Sequence, residues 1–272
     1  MVKEFSMNII VCMKQVLDPE IPPARFKVDA EGLKVVPPDG IRPVINPYDT
    51  NAIELALQLK EKHGGKITVL TMGEGTVVDV VKHALAMGAD EGFILQDEAF
   101  RGSDSFSIAA ILAKAITKTG DFDLVIFGRE AADWDEGLVG PIVAENLGLP
   151  LVTLAKTITP VGRELHITRV TMEGSQVFAA TIPAAVTVGS EVGRPRLPSG
   201  RGIIQAMRKQ VPIWNAEDIA ISRNEMGASA ARRKLVKLFI LDKGRTCEMI
   251  TRETLEQASA GLADRLKEVG AI

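Results

Sequence analysis

The sequence predicts an α/β fold: a doubly wound, mostly parallel sheet with added antiparallel strands and a C-terminal arm. Three observations carry this. From Met7 to Pro150, short β-branched runs alternate with amphipathic stretches of helical length. Aromatic residues make up only 4% of the 272, so Ala, Val, Ile and Leu must fill the core, as layered helix–sheet packing prefers. From Leu151 the hydrophobic period shortens to two, the pattern of hairpins.

Taken in order, Met7 to Lys14 (MNIIVCMK) is a first strand. Asn46-Pro47-Tyr48-Asp49 then starts a helix that runs through Lys62, with proline in the first turn, Ile53, Ala56, Leu57 and Leu59 on one side, and Gly64-Gly65 as its stop. Lys66 to Met72 is a second strand, Gly73 to Gly75 a tight turn, Thr76 to Met87 a helix, and Gly92 to Gln96 a third strand. Ser105 to Lys118 is a helix feeding the apolar strand Asp123 to Phe127. Such βαβ rhythm implies right-handed crossovers. Val152 to Thr159, Arg163 to Thr171 and Val177 to Ile182, divided by Gly162 and Glu173-Gly174, are expected as antiparallel strands. Arg194 to Gln210 reads as irregular, Leu235 to Leu241 as a short strand and Arg252 to Val269 as a closing helix. The expected division is an α/β body over residues 1–190 and a loop with a C-terminal arm over residues 191–272.

Composition excludes several functions. Thirty-two basic against 35 acidic residues give a net charge of −3, which offers no general attraction to nucleic acid. No apolar run approaches the roughly 18 residues of a membrane span, and Met1 to Met7 is too short and polar for a signal peptide, so a cytoplasmic or matrix-like location is expected. Cys12 and Cys247 form no CxxC pattern, and His63, His83 and His166 lack ligand spacing, so neither a disulfide framework nor a metal site is expected.

The stretch Asp123 to Pro150 is the most informative. A buried strand opens through Gly128 into an acidic turn, and Gly140-Pro141 starts the next helical pattern. In an open parallel sheet ligands bind at that end of the strands, and backbone amides at a helix start suit a phosphate. The spacing from Gly128 to Gly140 is neither a Walker A loop nor GxGxxG, and an ordinary strand–turn–helix crossover would read the same way. A branched side chain at Gly128 is expected to push into the crevice.

Four segments together resemble the beta subunit of electron-transfer flavoproteins, over nearly the whole chain. They are Val11-Cys12-Met13-Lys14-Gln15-Val16 with Asp18; Asn46-Pro47-Tyr48-Asp49 with Ala52 and Glu54; Ala86 to Asp90 with the loop of Gly128, Ala131, Asp133 and Asp135; and Glu173-Gly174 leading to Pro183-Ala184-Ala185-Val186-Thr187. The resemblance implies a heterodimeric electron carrier without a catalytic side chain of its own. Its alpha subunit holds a redox-active FAD, and this subunit buries an adenine nucleotide: AMP in simple carriers, a second FAD in electron-bifurcating ones. It further implies nucleotide contacts from Cys12, Asn46, Pro47, Tyr48, Asp49, Met72, Gly73, Gly128, Arg129, Glu130, Ala131, Asp133, Asp135, Val139 and Gly140. Plain helix capping is the rival role for Asn46 and Asp49, and a small buried hydrophobe that for Cys12. Two positions depart from the pattern: Asp135-Glu136 stands where many relatives have Asp-Thr or Asp-Cys, and Leu138 where they have glutamine. An extra carboxylate there repels a phosphate unless turned to solvent. Gly140-Pro141, Glu145 to Gly148 and Asp49-Thr50-Asn51-Ala52 look more like the bifurcating branch, which favours a second FAD over AMP.

The segment Arg194 to Gln210 is similar to the family's recognition loop for a dehydrogenase, of the acyl-CoA type or another flavin enzyme. Leu197 between Pro195 and Pro198 suits an apolar anchor, with Arg194, Arg196, Arg201, Arg208 and Lys209 as steering charges. A solvated basic loop is the plainer alternative. Rivals from other classes are an ATP-hydrolysing or adenylating enzyme, which needs a phosphate loop that Cys12-Met13-Lys14-Gln15 does not supply, and a nucleotide-binding signalling module.

Overall fold

The computed structural model describes residues 6–240 and 247–272. Its strands and helices follow the expected rhythm. The first strand, β1 (Met7–Cys12), leads through two short strands, β2 (Gln15–Val16) and β3 (Lys27–Asp29), to β4 (Lys34–Val36) and β5 (Val44–Ile45). Then come α1 (Pro47–His63), β6 (Gly65–Met72), α2 (Val77–Met87), β7 (Glu91–Leu95), α3 (Ser105–Lys118), β8 (Leu124–Gly128) and α4 (Val139–Leu147). Three long strands follow, β9 (Leu151–Val161), β10 (Glu164–Thr171) and β11 (Gly174–Thr181), and then β12 (Ala184–Val188). The rest comprises α5 (Gly200–Arg208), β13 (Ile213–Trp214), α6 (Gly227–Ala230) and α7 (Leu255–Glu268).

The main sheet is nine-stranded, ordered β11-β10-β9-β12-β8-β1-β6-β7-β13. Neighbours from β9 through β13 in that order pair parallel, while β10 is antiparallel to both β9 and β11. Central strands are buried on both faces, which is why they read as continuous apolar runs. Alternate residues part to opposite sides. Ile9, Val11, Ile67, Val69 and Ile126 join α1 and α2, whereas Ile10, Leu70, Val125 and Phe127 join α3 and α4. From β1 the chain winds to β6 and β7, and it then crosses to β8 on the other flank of β1. The carboxyl ends of β1 and β8 therefore border the switch-point crevice in which doubly wound folds place ligands.

Two expectations are corrected. Arg194 to Gln210 is not irregular throughout, because Gly200–Arg208 forms α5, whose N-terminus is capped by the Ser199 hydroxyl accepting from the Gly202 amide at 3.0 Å. Glycines hide the helical pattern in the sequence, and one of them permits the packing: a Cβ on Gly202 would lie 2.3 Å from the Ala86 carbonyl oxygen. Lys82 Nζ donates to the Ala206 carbonyl at 2.9 Å, and Lys209 Nζ to those of Ala89 at 3.1 Å and Asp90 at 2.6 Å, so α5 and α2 satisfy each other's ends. The strand expected at Leu235 to Leu241 does not form over residues 235–240, and Leu241 lies outside the described residues. Among the described residues no strand pairs with this segment, and Val236 and Phe239 are exposed. Residues 213–214 instead extend the sheet beside β7, with Trp214 stacked on Phe93 at 4.1 Å between ring centroids. The closing helix is slightly shorter than expected, and none of its residues is buried.

Candidate nucleotide site at the switch point

Two buried polar side chains in the first turn of α1 and just before it organise the crevice. Asp49 is only 6% exposed. Its Oδ2 accepts from the Lys14 amide at 2.7 Å and its Oδ1 from the Gly128 amide at 3.0 Å, so one carboxyl joins the ends of β1 and β8. Asn46 Nδ2 donates to the Glu130 carbonyl at 2.8 Å, while its Oδ1 accepts from the Ala132 amide at 3.0 Å. Neither residue makes a side-chain cap of α1, so the capping alternative fails. They hold the loop after β8 against the helix. Pro47 opens α1, where its missing N–H costs nothing.

This closeness explains Gly128. A Cβ there would stand 2.3 Å from Asp49 Oδ1 and 2.8 Å from Tyr48 Cβ. A side chain at Gly128 would strike the first turn of α1, which borders the crevice. Gly140 serves packing too, since its Cβ would meet Phe127 and Thr187 at 3.1 Å, so the start of α4 lies on the ends of β8 and β12.

Between these glycines the loop is tied down by charge. Lys14 Nζ reaches Asp133 Oδ2 at 2.6 Å, Arg129 pairs with Glu130, and the Arg129 guanidinium lies 5.0 Å from the Tyr48 ring centre. Asp135 has a left-handed φ of 49° and its amide donates to the Ala131 carbonyl at 2.8 Å. Glu136 is not turned free to solvent. One oxygen accepts from the buried Ser105 hydroxyl, and the other pairs with Arg233 Nη1 at 2.7 Å. Leu138 is exposed and precedes α4, and Val139 packs partly buried on the α3–α4 side of the core.

Burial pushes the Asp49 pKa up to about 7, against the opposing pull of its backbone donors, Asn46 and Lys14. Burial, with Asp49 beside it, also raises the Cys12 thiol far above its ordinary range. Cys12 belongs to the core cluster beneath the crevice, with an un-ionised and unreactive thiol. Met72 packs on that same core, and the Gly73 amide is spent on the Leu95 carbonyl at 3.1 Å. Unspent groups remain at this end of the sheet among the described residues. The Thr71 hydroxyl is buried without a partner among the described residues. The amides of residues 136–140 likewise find no acceptor among them.

The docking candidates separate. Leu197 is 82% exposed, and Arg194 and Arg201 are exposed beside it. Arg196 is occupied within the chain: its Nε meets Glu54 Oε2 at 2.8 Å, its Nη2 meets Glu54 Oε1 at 3.0 Å, and it also pairs with Glu61. Burial raises the Glu54 carboxyl, but the Arg196 bonds outweigh it and leave Glu54 below the usual carboxylate range. Sequence reasoning missed this clamp and the Ser105–Glu136–Arg233 contact, because their members lie far apart in the chain.

Known proteins resemble this chain over most of its length. The electron transfer flavoprotein domain matches residues 35–219. The chain is 36% identical over 261 residues to the electron transfer flavoprotein subunit beta of Thermoanaerobacterium thermosaccharolyticum, covering 96% of this chain and 98% of that one. It is 34% identical over 263 residues to the caffeyl-CoA reductase-Etf complex subunit CarD of Acetobacterium woodii, with the same coverage of both chains. With the electron transfer flavoprotein subunit beta of Clostridium acetobutylicum it shares 35% over 262 residues, again covering 96% and 98%. The domain match spans more than half the chain and the beta-subunit relatives span nearly all of it, so this protein belongs to the electron transfer flavoprotein family, as a beta subunit.

Proposed function

We propose that this beta subunit holds an adenine nucleotide in the crevice between β1 and β8 and pairs with an alpha subunit carrying a redox-active FAD. Electrons then pass between an acyl-CoA-type or other flavin dehydrogenase and an acceptor. The observation that carries the nucleotide site is the set of unspent amides at residues 136–140, in a loop already held by Asn46 and lying at the start of α4. Donors of this kind suit a phosphate, and the helix start adds a partial positive charge. The residues fit such a group: Glu136, a carboxylate of that same loop that would repel it, is paired with Arg233 at 2.7 Å.

When FAD is bound, its flavin ring supplies the redox chemistry. The chain's own residues bind and orient. Asn46 and Asp49 hold the loop and strand ends, the amides receive phosphate, and Tyr48, Arg129, Glu130, Ala131, Asp133, Asp135, Val139 and Gly140 shape the crevice. Cys12, Met72 and Gly73 form its floor. We favour a second FAD over AMP, on the sequence features noted above and on the likeness to a subunit of a caffeyl-CoA reductase-Etf complex. Residues 1–190 form the nucleotide-binding body in this reading. The segment at 194–201 docks a dehydrogenase through Leu197, and the terminal arm packs on the alpha subunit. Among the described residues no helix is long and apolar enough to cross a membrane, and we place the heterodimer in the cytoplasm.

Denaturing the purified heterodimer and separating released nucleotides tests the site. Two FAD per heterodimer support the favoured reading, and one FAD with one AMP supports the simple-carrier alternative. Recovery of the alpha subunit's FAD alone overturns the nucleotide site.

A further inference from the structure

Arg233 lies where the chain leaves the core. Before it, residues 227–230 are seated on the loop ahead of α3: the Gly227 amide donates to Ser103 Oγ at 2.9 Å, and a Cβ on Gly227 would strike the Ala99 carbonyl. Asp104 caps α3 through the Phe106 and Ser107 amides with one oxygen, and with the other accepts from the Arg232 amide at 2.7 Å and the Arg233 amide at 2.9 Å. The Arg232 guanidinium lies 4.7 Å from the Phe106 ring centre. The backbone of residues 232–233 is thus set by α3. The Arg233 side chain then extends to Glu136, in the loop that carries the unspent amides, while Glu136 also takes the Ser105 hydroxyl.

An exposed ion pair by itself contributes little, because two long side chains must be ordered to form it. Here the side chains are 52% and 30% exposed, but both partners are held independently, Arg233 by Asp104 and Glu136 by Ser105. Less ordering is left for the pair itself. Charge gives it a consequence for a ligand: unpaired, Glu136 would set a full negative charge beside the donors meant for a phosphate.

We propose that Arg233, at the root of the C-terminal arm, is a positioning residue for the nucleotide loop: it neutralises Glu136 and, with Ser105, fixes it so that the amides at 136–140 receive a phosphate. This rests on the proposed nucleotide site. It makes nucleotide affinity depend on a residue that touches no nucleotide and belongs to the segment leading into the arm.

The test is a double-mutant cycle on nucleotide-depleted heterodimers, with AMP as the titrant, read by equilibrium dialysis, circular dichroism confirming equal folding. Arg233→Met is expected to weaken AMP about tenfold in the otherwise unaltered protein, but less than about twofold in a Glu136→Gln background, where no carboxylate remains to neutralise. Arg233→Lys restores most of the affinity. Ser105→Ala, which frees Glu136 without changing charge, gives a smaller loss in the same direction. Equal loss from Arg233→Met in both backgrounds, or none in either, overturns the proposal while leaving the site standing. Failure of the unaltered heterodimer to bind AMP or FAD at this site overturns the site itself, and the proposal with it.

Discussion

The loop from Gly128 to Gly140 and the stretch beyond Arg233 are both charged and both leave the sheet, yet they end in opposite conditions. In the loop, Glu130, Asp133 and Glu136 each pair with a cation of this chain, and Asn46 fastens the backbone. Beyond Arg233, Val236, Phe239, Met249, Leu255, Leu262 and Ile272 are exposed, and α7 buries no residue. Its ion pairs, Arg265 with Glu248 and Glu268, are local to the arm. An isolated helix of 14 residues is marginal in water, so a covering surface, which we propose the alpha subunit supplies, would stabilise α7. Three carboxylates of the loop are satisfied within the chain; the apolar side chains of the arm stay exposed among the described residues.

Removing the arm breaks the comparison most sharply. A chain ending at Arg233 is expected to keep the sheet and its thermal transition, since no α7 side chain enters the core, while losing its alpha subunit altogether. Gel filtration after co-expression with a tagged alpha subunit reads the outcome. A truncated chain that still elutes as a heterodimer would return the arm to solvent.

A smaller effect sharpens the loop side. Asp49 has a folded pKa raised to about 7 from an ordinary 3.8, so its contribution to stability is complete below the ordinary value and is lost as pH rises through 7. Between pH 5 and 7 the folded form holds a proton that the unfolded form has released, which corresponds to a loss of about 2–3 kcal/mol. Lys14, whose amide donates to Asp49, pairs with Asp133, and Arg129 lies over the neighbouring Tyr48 ring. Of these, the Lys14 ammonium opposes the shift. Urea unfolding at intervals from pH 5 to 8 should show this slope, and Asp49→Asn should flatten it. An equal slope in the variant would assign the titration elsewhere.

Smaller still is the contrast within the docking segment. Leu197→Ala should leave bound nucleotide and stability unchanged and weaken dehydrogenase binding by about 1–2 kcal/mol. Arg196→Ala should instead lower stability by about 2 kcal/mol, because the buried Glu54 carboxylate loses its cation. Arg194→Ala should do least, slowing association chiefly at low salt. Titrating each variant with a dehydrogenase at two ionic strengths, beside urea unfolding, separates the three. Equal behaviour of Leu197→Ala and Arg196→Ala in both assays would erase the distinction.

Much of this was legible in the chain. The parallel core, the hairpins from Leu151 and the helix Ser105–Lys118 follow from hydrophobic period and glycine placement, which are local properties and survive as pattern. The loop after Gly128 stood out because strand, glycine and helix start are contiguous. Where the pattern failed, packing had overridden it. Two glycines obscured α5 until α2 supplied a face to pack on, and the alternation at Leu235 met no neighbouring strand among the described residues.

By itself, then, the sequence determined the layered fold, the contiguous strand, glycine and helix start on which the proposed nucleotide site rests, and the family to which the chain belongs. The tertiary structure alone decided what the polar residues do there. Asn46 and Asp49 could equally have capped a helix, Arg196 could have faced a partner, and Glu136 could have faced water. Each choice depends on a group about 80 to 140 positions away in sequence, from Asp49 to Gly128 and from Glu54 to Arg196. A buried or half-buried polar group must be paired, but the sequence does not record which distant partner folding will bring within about 3 Å of it.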